Sequence, residues 1–159
     1  MTSNFLGQIG ILVESGAKGI ITNNEVRGNI CNILPDCGPN FFTQFQGYGI
    51  IVDSAPGSIV SNNYVSNNDI GIGVFGTSGC CIDDYNKLID NRFFGIVVND
   101  GEHTISNTKI FGGNVGVAAI ASSANTVAIL DHVKIIGATT PVLEIPSDGF
   151  TAEVVFLPN

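Results

Sequence analysis

The sequence predicts an all-β protein built as a parallel β-solenoid, because its composition favours strands and turns and because the chain repeats itself. Among 159 residues, Ile and Val together number 36 against 7 Leu, and there are 20 Gly and 17 Asn. β-Branched residues favour strands, whereas Gly and Asn favour turns. A repeat of 22–25 residues holding two or three short strands is typical of one solenoid coil. We therefore expect five to six coils and negligible α-helix.

The repeat is visible as columns of similar residues. The segments 21–29, 60–68, 83–91, 105–113 and 130–138 align without gaps, and one apolar column runs through them: Val26, Val65, Leu88, Ile110 and Ile135. Six residues earlier a second column reads Ile20, Ile59, Ile82, Thr104 and Ile129. Parallel strands of successive coils lie about 4.8 Å apart, so equivalent residues should stack into ladders.

A longer strand with period two follows each segment, which indicates a second sheet. Its expected inward residues are Ile11, Ile50, Ile72, Ile96, Val117 and Leu143, and two positions further Val13, Val52, Val74, Val98, Ala119 and Ile145. Asparagines recur three residues before and after the Val26 column, as at Asn23, Asn62, Asn29, Asn68 and Asn91. Stacked Asn amides hydrogen-bond along the axis and Asn tolerates left-handed turns, so we interpret these residues as coil corners.

One interval interrupts the repeat, because the first step of the Val26 column is 39 residues long. The extra residues form an insertion at 32–46 that places Phe41, Phe42 and Phe45 close to Tyr48. Long loops that project from a solenoid often carry function, and such a cluster is suited to stacking on sugar rings. The alternative is that the phenylalanines fold back on the solenoid as a small satellite core.

The four cysteines leave two interpretations open. Cys31 and Cys37 flank a short loop and are placed to form a disulfide, whereas the alternative is that these two, Cys80 and Cys81 are all reduced apolar residues. A zinc site is not expected, because the spacings give no paired Cys-x-x-Cys and neither histidine lies nearby.

The chain is expected to be a single domain over residues 1–159, closed by a segment at 146–159 that ends in a strand. The pattern from Asn4 to Ile11 matches the one from Asn91 to Ile96, so the chain opens within a coil. Because solenoid ends are normally capped, we expect a C-terminal fragment of a longer chain, or an end covered by another subunit. MTSNFLGQ has no signal-peptide character, so an extracellular or cell-surface protein would lack its leader here.

The segments KGIITNNEVRGN and GSIVSNNYVSNNDIGIGV resemble the right-handed parallel β-helix repeat of the pectin-lyase-like superfamily, over roughly residues 4–145. The resemblance implies the fold but not one activity, because that superfamily includes lyases, hydrolases, epimerases, tailspikes and adhesins. Of the polygalacturonase motifs only the Asp83-Asp84 pair is echoed, while the Asn-Thr-Asp and Gly-His-Gly segments are missing.

Ladder positions supply the other candidate catalytic residues. Glu14 and Asp53 follow equivalent strands of neighbouring coils, so their backbones should lie about 5 Å apart. Two carboxylates at that separation repel each other or bind a cation, and a retaining glycosidase pair is similarly spaced. The alternatives are two solvated corner acids or an incidental calcium site. No other cofactor is expected, and NDGEH at 99–103 is interpreted as a polar turn.

Two functions remain. The favoured interpretation is a non-catalytic β-helix module, such as an adhesin or tailspike domain, that binds glycan through Phe41, Phe42, Phe45 and Tyr48 or mediates assembly. The alternative is a polysaccharide lyase, a glycoside hydrolase or a fragment of one, using Glu14, Asp53, Asp83 and Asp84. A net charge of −8 disfavours nucleic acid, and the longest apolar run is far below the ~20 residues of a membrane span. A stacked apolar strip at Ile89, Phe111 and Ile136 suggests homo-oligomer contacts or a covering segment.

Overall fold

The computed structural model describes residues 7–76 and 79–158, and within these ranges it contains strands but no helix. The strands are, in chain order, β1 (Ile9–Glu14), β2 (Ile20–Thr22), β3 (Glu25–Arg27), β4 (Tyr48–Asp53), β5 (Ile59–Ser61), β6 (Tyr64–Ser66), β7 (Ile70–Phe75), β8 (Cys81–Ile82), β9 (Lys87–Ile89), β10 (Phe94–Asn99), β11 (Gly101–Ser106), β12 (Lys109–Phe111), β13 (Val115–Ile120), β14 (Thr126–Asp131), β15 (Lys134–Ile136), β16 (Thr140–Ile145) and β17 (Ala152–Phe156). No helix in this part of the chain is long and apolar enough to cross a membrane.

The strands form three parallel sheets in which each strand pairs with its equivalent in the next coil. Within the described ranges the first sheet runs β1-β4-β7-β10-β13-β16, the second β2-β5-β8-β11-β14-β17, and the third β3-β6-β9-β12-β15. The predicted solenoid is confirmed. The last strand of the described residues, β17, extends the second sheet beside β14. Asn4, Phe5 and Leu6, on which the predicted first corner rests, lie outside the described residues.

Most predicted ladders are confirmed by the pairing of the strands. Val26 pairs with Val65, which pairs with Leu88, and the column continues through Ile110 and Ile135. The inward residues of the first sheet stack as expected from Ile11 to Val117 and from Val13 to Ala119. Ile50, Ile72 and Ile96 are fully buried in the resulting core. Burial of these stacked aliphatic side chains is the main stabilising contribution to the fold.

The predicted column through Ile82 is displaced by one residue. Cys81, not Ile82, pairs with Ile59 and Thr104, and Ile82 pairs with Val60 and Ile105. This coil accommodates one extra residue at its corner, where Asp84 and Tyr85 both adopt left-handed conformations. The side chains of this column also point outward, since Ile20 is 71 % exposed. The next residue of each strand is buried instead: Ile21, Val60, Ile82, Ile105 and Leu130.

The predicted inward positions of Leu143 and Ile145 are wrong. Val142 pairs with Val117 and Glu144 with Ala119, so Leu143 and Ile145 lie on the outer face of the first sheet. The period-two pattern does not distinguish the faces here, because the outer face is also apolar. Glu144 is stabilised at its position by a hydrogen bond, in which the Val154 N–H donates to Oε1 over 2.9 Å.

The asparagines at the corners perform two distinct tasks. Asn23, Asn62 and Asn107 take the left-handed backbone conformation, as predicted. The predicted amide ladder also exists, since Asn29 Nδ2 donates to Asn68 Oδ1 at 2.9 Å and Asn68 Nδ2 donates to Asn91 Oδ1 at 3.0 Å. A second amide ladder that was not predicted joins Asn24, Asn63 and Asn86. These bonds satisfy buried polar groups along the axis.

The outer face of the first sheet carries a second apolar cluster, here called the outer layer. Its buried members are Ile70, Phe94, Val97, Val115, Ala118 and Ile120. The Phe75 ring lies over this face, and Gly73 leaves space for it, because a Cβ on Gly73 would lie 2.7 Å from the ring. The outer layer provides an apolar base for the insertion.

Candidate functional site

The insertion at 32–46, here called the arm, is held at both ends by one buried carboxylate. The Cys31 N–H donates to Asp69 Oδ2 at 2.7 Å, and the Gly47 N–H donates to the same oxygen at 2.8 Å. Asp69 is fully buried. Gly47 is required at its position, because a Cβ there would collide with the carbonyl of Asn29. The arm therefore leaves and rejoins the solenoid at a single fixed point.

Arg92 and a disulfide complete this anchor. Arg92 Nη2 lies 2.7 Å from Asp69 Oδ1 and donates to the Cys31 carbonyl at 3.1 Å. The guanidinium also stacks 4.4 Å from the centre of the Phe93 ring. Cys31 and Cys37 form a disulfide, which is the first of the two interpretations that the sequence left open. The ends of the arm are thus joined to Asp69 and Arg92, in two neighbouring coils, by charge-assisted hydrogen bonds, which are stronger than neutral ones.

Side-chain amides hold the arm in shape between its ends. Gln46 is buried, and its Nε2 donates to the carbonyls of Gly38 and Gln44 at 2.8 and 2.6 Å. Gln44 Nε2 donates to the Pro35 carbonyl at 3.0 Å. The Phe45 N–H donates to the Asp36 carbonyl at 2.7 Å. The arm is therefore an ordered element despite its lack of regular secondary structure.

The aromatic cluster divides into two pairs with different surroundings. The Phe41 and Tyr48 rings each lie 5.9 Å from the Phe75 ring and pack on the outer layer. Phe42 and Phe45 remain 54 % and 55 % exposed. One pair therefore forms the expected satellite core, whereas the other pair presents its rings to solvent.

A cavity of about 560 Å³ opens beside the arm. It is lined by the four predicted aromatic residues together with Gly7, Ile9, Thr43, Gln44 and Gln46. Phe42 also borders a second cavity of about 380 Å³ that reaches Phe94, Val115 and Leu143 of the outer layer. The Phe42 ring therefore forms a ridge between two hollows on the outer face of the first sheet.

Tyr48 contributes a neutral phenol to this cavity. Burial, followed by the negative charge of Asp69, raises the pKa of Tyr48 to about 12. The Tyr48 hydroxyl donates to Gln46 Oε1 at 3.4 Å. A phenol that stays protonated at all physiological pH values can donate and accept hydrogen bonds there.

The predicted acidic pair is placed as expected but lies away from the aromatic residues. Glu14 pairs with Asp53 in register across β1 and β4. Both belong to a polar corner, where Ser54 Oγ donates to Asp53 Oδ1 at 2.9 Å. Asp53 and Tyr48 occupy opposite ends of β4, about 17 Å apart at 3.3 Å per residue. The structure therefore does not bring the aromatic residues and this acidic pair together in one groove.

Asp83 and Asp84 lie at a different corner, between the second and third sheets. Ser106 Oγ donates to Asp83 Oδ1, and Asn107 Nδ2 donates to Asp84 Oδ1 at 3.2 Å. These contacts join the aspartates to the next coil. The four carboxylates thus form two separate groups, and none of them lines the cavity beside the arm.

The NDGEH segment is not only a polar turn, because a strand begins within it. The last three residues of the segment begin β11. The His103 side chain is buried in the interior, and its Nε2 lies 3.1 Å from the Asp100 carbonyl oxygen. Burial lowers the pKa of His103. The Asp100 carboxylate accepts the N–H groups of Ser122, Ser123 and Ala124. Within the described ranges no three or more His, Cys, Asp and Glu side chains are grouped so as to hold a metal ion.

Comparison with known proteins agrees with this architecture. The family model of the right-handed β-helix region matches residues 2–130. The chain belongs to the right-handed β-helix family. It matches no curated protein and no solved structure. The family assignment fixes the fold and the hand of this β-helix but does not select one activity.

Asp69 and Arg92 are the site residues of this β-helix that the sequence analysis did not identify. Both follow directly after members of the amide ladder, Asn68 and Asn91, and so occupy equivalent positions in neighbouring coils. The same alignment that predicted the ladder therefore places an acid beside a base. Their link to the arm required the structure, since neither Cys31 nor Gly47 carries a side chain that signals the contact.

Proposed function

We propose that this chain is a non-catalytic β-helix module of an extracellular or surface protein, and that it binds glycan through the arm. The observation that carries the proposal is the pair of solvent-exposed rings, Phe42 and Phe45, on a loop held rigidly at its base. Ordering a flexible loop costs conformational entropy on binding, and a loop fixed in advance avoids that cost. A platform of this kind suits the apolar face of a pyranose ring.

The Cys31–Cys37 disulfide supports the extracellular part of the proposal. Disulfides persist in oxidising compartments and are rare in the cytosol of most organisms. The strip formed by Ile89, Phe111 and Ile136 stacks in register on the third sheet, with Ile136 exposed and the other two half-buried, and it supports a role in assembly. A homo-oligomer, or further β-helix coils, would cover such a strip.

The alternative function is a polysaccharide lyase or glycoside hydrolase. The observation that favours it is the in-register pairing of Glu14 with Asp53, which places two carboxylates on adjacent strands about 4.8 Å apart. A retaining mechanism uses two carboxyl groups about 5–5.5 Å apart. The same corner is where a calcium ion would bind.

A polysaccharide panel scored for binding and for reducing-end release tests both functions. Under the module hypothesis, Phe42→Ala and Phe45→Ala each weaken binding about tenfold, equivalent to about 1.4 kcal/mol, and no reducing ends appear. Phe156→Ala is the matched control, because Phe156 is 58 % exposed and lies on β17, away from the arm. Release that Glu14→Gln or Asp53→Asn abolishes would establish the enzyme instead. A panel without any binding would refute glycan recognition.

A further inference from the structure

None of the described residues that line the cavity beside the arm carries a charged side chain. Its nine lining residues are apolar, aromatic or neutral polar: Gly7, Ile9, Phe41, Phe42, Thr43, Gln44, Phe45, Gln46 and Tyr48. The one titratable group among them is the Tyr48 phenol, whose raised pKa of about 12 keeps it neutral. These nine residues therefore offer a ligand hydroxyl groups, amides and ring faces but no counter-charge.

A buried negative charge lies behind the cavity lining. Asp69 Oδ2 accepts the N–H of Gly47, which lies in the chain between the lining residues Gln46 and Tyr48. The charge of Asp69 reaches Tyr48, where it adds to the effect of burial on the phenol pKa. Its partner Arg92 lines a separate cavity with Cys31, Cys37 and Phe93. The ion pair is therefore oriented with its negative end toward the aromatic cavity.

This arrangement disfavours an anionic ligand. A carboxylate that leaves water for an apolar site without a compensating partner loses much of its hydration free energy. The charge of Asp69, which acts on Tyr48 in this cavity, adds repulsion. An uncharged sugar escapes both effects, since its hydroxyl groups can bond to the exposed Thr43 side chain while its C–H face packs on Phe42 or Phe45.

We propose that the arm recognises an uncharged pyranose unit and discriminates against the corresponding uronic acid. This inference rests on the glycan-binding function proposed above, and it names the chemical class of the ligand. It assigns selectivity to the lack of a cationic side chain among the nine described lining residues and to the orientation of the Asp69–Arg92 pair.

The test is a comparison of matched neutral and acidic oligosaccharides. The probes are oligomers of gluco, galacto and manno configuration, each as the hexose and as the uronic acid, titrated calorimetrically at low salt. We expect the neutral member of any pair that binds to bind at least tenfold more tightly. Equal or tighter binding of the uronic acid overturns the inference and leaves the glycan module intact. No binding by either form of any pair overturns the module and the inference together.

A specificity switch at Thr43 tests the electrostatic reasoning directly. Thr43 is exposed at the cavity, so a substitution there disturbs no buried contact. Thr43→Lys supplies the missing cation and should reduce the preference for the neutral sugar at least fivefold, with the change largely removed in 1 M salt. Thr43→Gln, which adds length without charge, should keep the original preference. An unchanged preference in Thr43→Lys contradicts the inference.

Discussion

Removal of the Asp69 carboxylate should release the arm and destabilise the solenoid. Asp69→Ala leaves the N–H groups of Cys31 and Gly47 without their shared acceptor, and it leaves Arg92 without its ion-pair partner. A buried donor that loses its acceptor costs about 1–3 kcal/mol. The Arg92 side chain is 43 % exposed and can turn to solvent, which reduces its share of the cost. We expect the free energy of unfolding to fall by about 3–6 kcal/mol.

Asp69→Asn separates the contribution of the two backbone hydrogen bonds from that of the ion pair with Arg92. Both N–H groups donate to Oδ2, so an asparagine with its oxygen at that position keeps both hydrogen bonds. Its amide nitrogen would then face Arg92 Nη2, so two hydrogen-bond donors would oppose each other. The expected cost is about 1.5–3 kcal/mol, which is the range for a hydrogen bond to a charged group. The alanine variant should therefore be the less stable of the two.

Urea unfolding followed by circular dichroism measures both variants, and amide hydrogen exchange reports on Cys31 and Gly47. In Asp69→Ala these two amides should exchange much faster than the ladder amides of Asn68 and Asn91. Asp36→Asn is the control, because it makes the same chemical change at an exposed position of the arm. If Asp69→Ala unfolds at the wild-type midpoint with both amides still protected, the reasoning about the anchor is refuted.

Three further predictions concern the core and its titrating groups. Ile72→Ala should lower the free energy of unfolding by about 2–5 kcal/mol, whereas Asp53→Asn should cost little because it relieves repulsion from Glu14; equal denaturation midpoints would contradict the inward register. Because the pKa of Tyr48 is raised to about 12, the folded protein keeps a proton that the unfolded chain loses near pH 10, so stability should fall between pH 10 and 12. An absorbance titration should show this late phenol, and Tyr48→Phe should remove it. Burial lowers the pKa of His103, so the unfolded chain takes up a proton near pH 6.5 before the folded protein does. Stability should therefore fall on acidification below about pH 6.5, by at most about 1.4 kcal/mol per pH unit, and a pH series of urea midpoints should show a weaker slope in His103→Gln.

The ladders were predictable from sequence because a solenoid converts a repeat into stacked neighbours. Val26, Val65 and Leu88 stand in one column of the alignment and in one column of the third sheet. The same logic placed Glu14 beside Asp53. It failed at Ile82, because a single extra residue at a corner is absorbed by left-handed backbone and leaves no trace in an ungapped alignment.

The arm was predictable as an insertion but not in its geometry. Its length and aromatic content were evident, and the structure confirms that it lies outside the coils. The separation of Phe41 from Phe42 was not evident, because adjacent residues of one type carry no signal of which ring meets Phe75. The separation of Tyr48 from Asp53 follows from the six-residue strand that joins them.

The most direct test of the account is a map of the ligand contact by NMR. Labelled protein would be titrated with the oligosaccharide that binds most tightly, and the amide shifts of the whole chain would be followed. If the arm binds the ligand, the largest changes in amide shift fall on residues 41–48, with little change at Glu14, Asp53, Asp83 and Asp84. Changes concentrated at those four acids, with residues 41–48 unaffected, would contradict it.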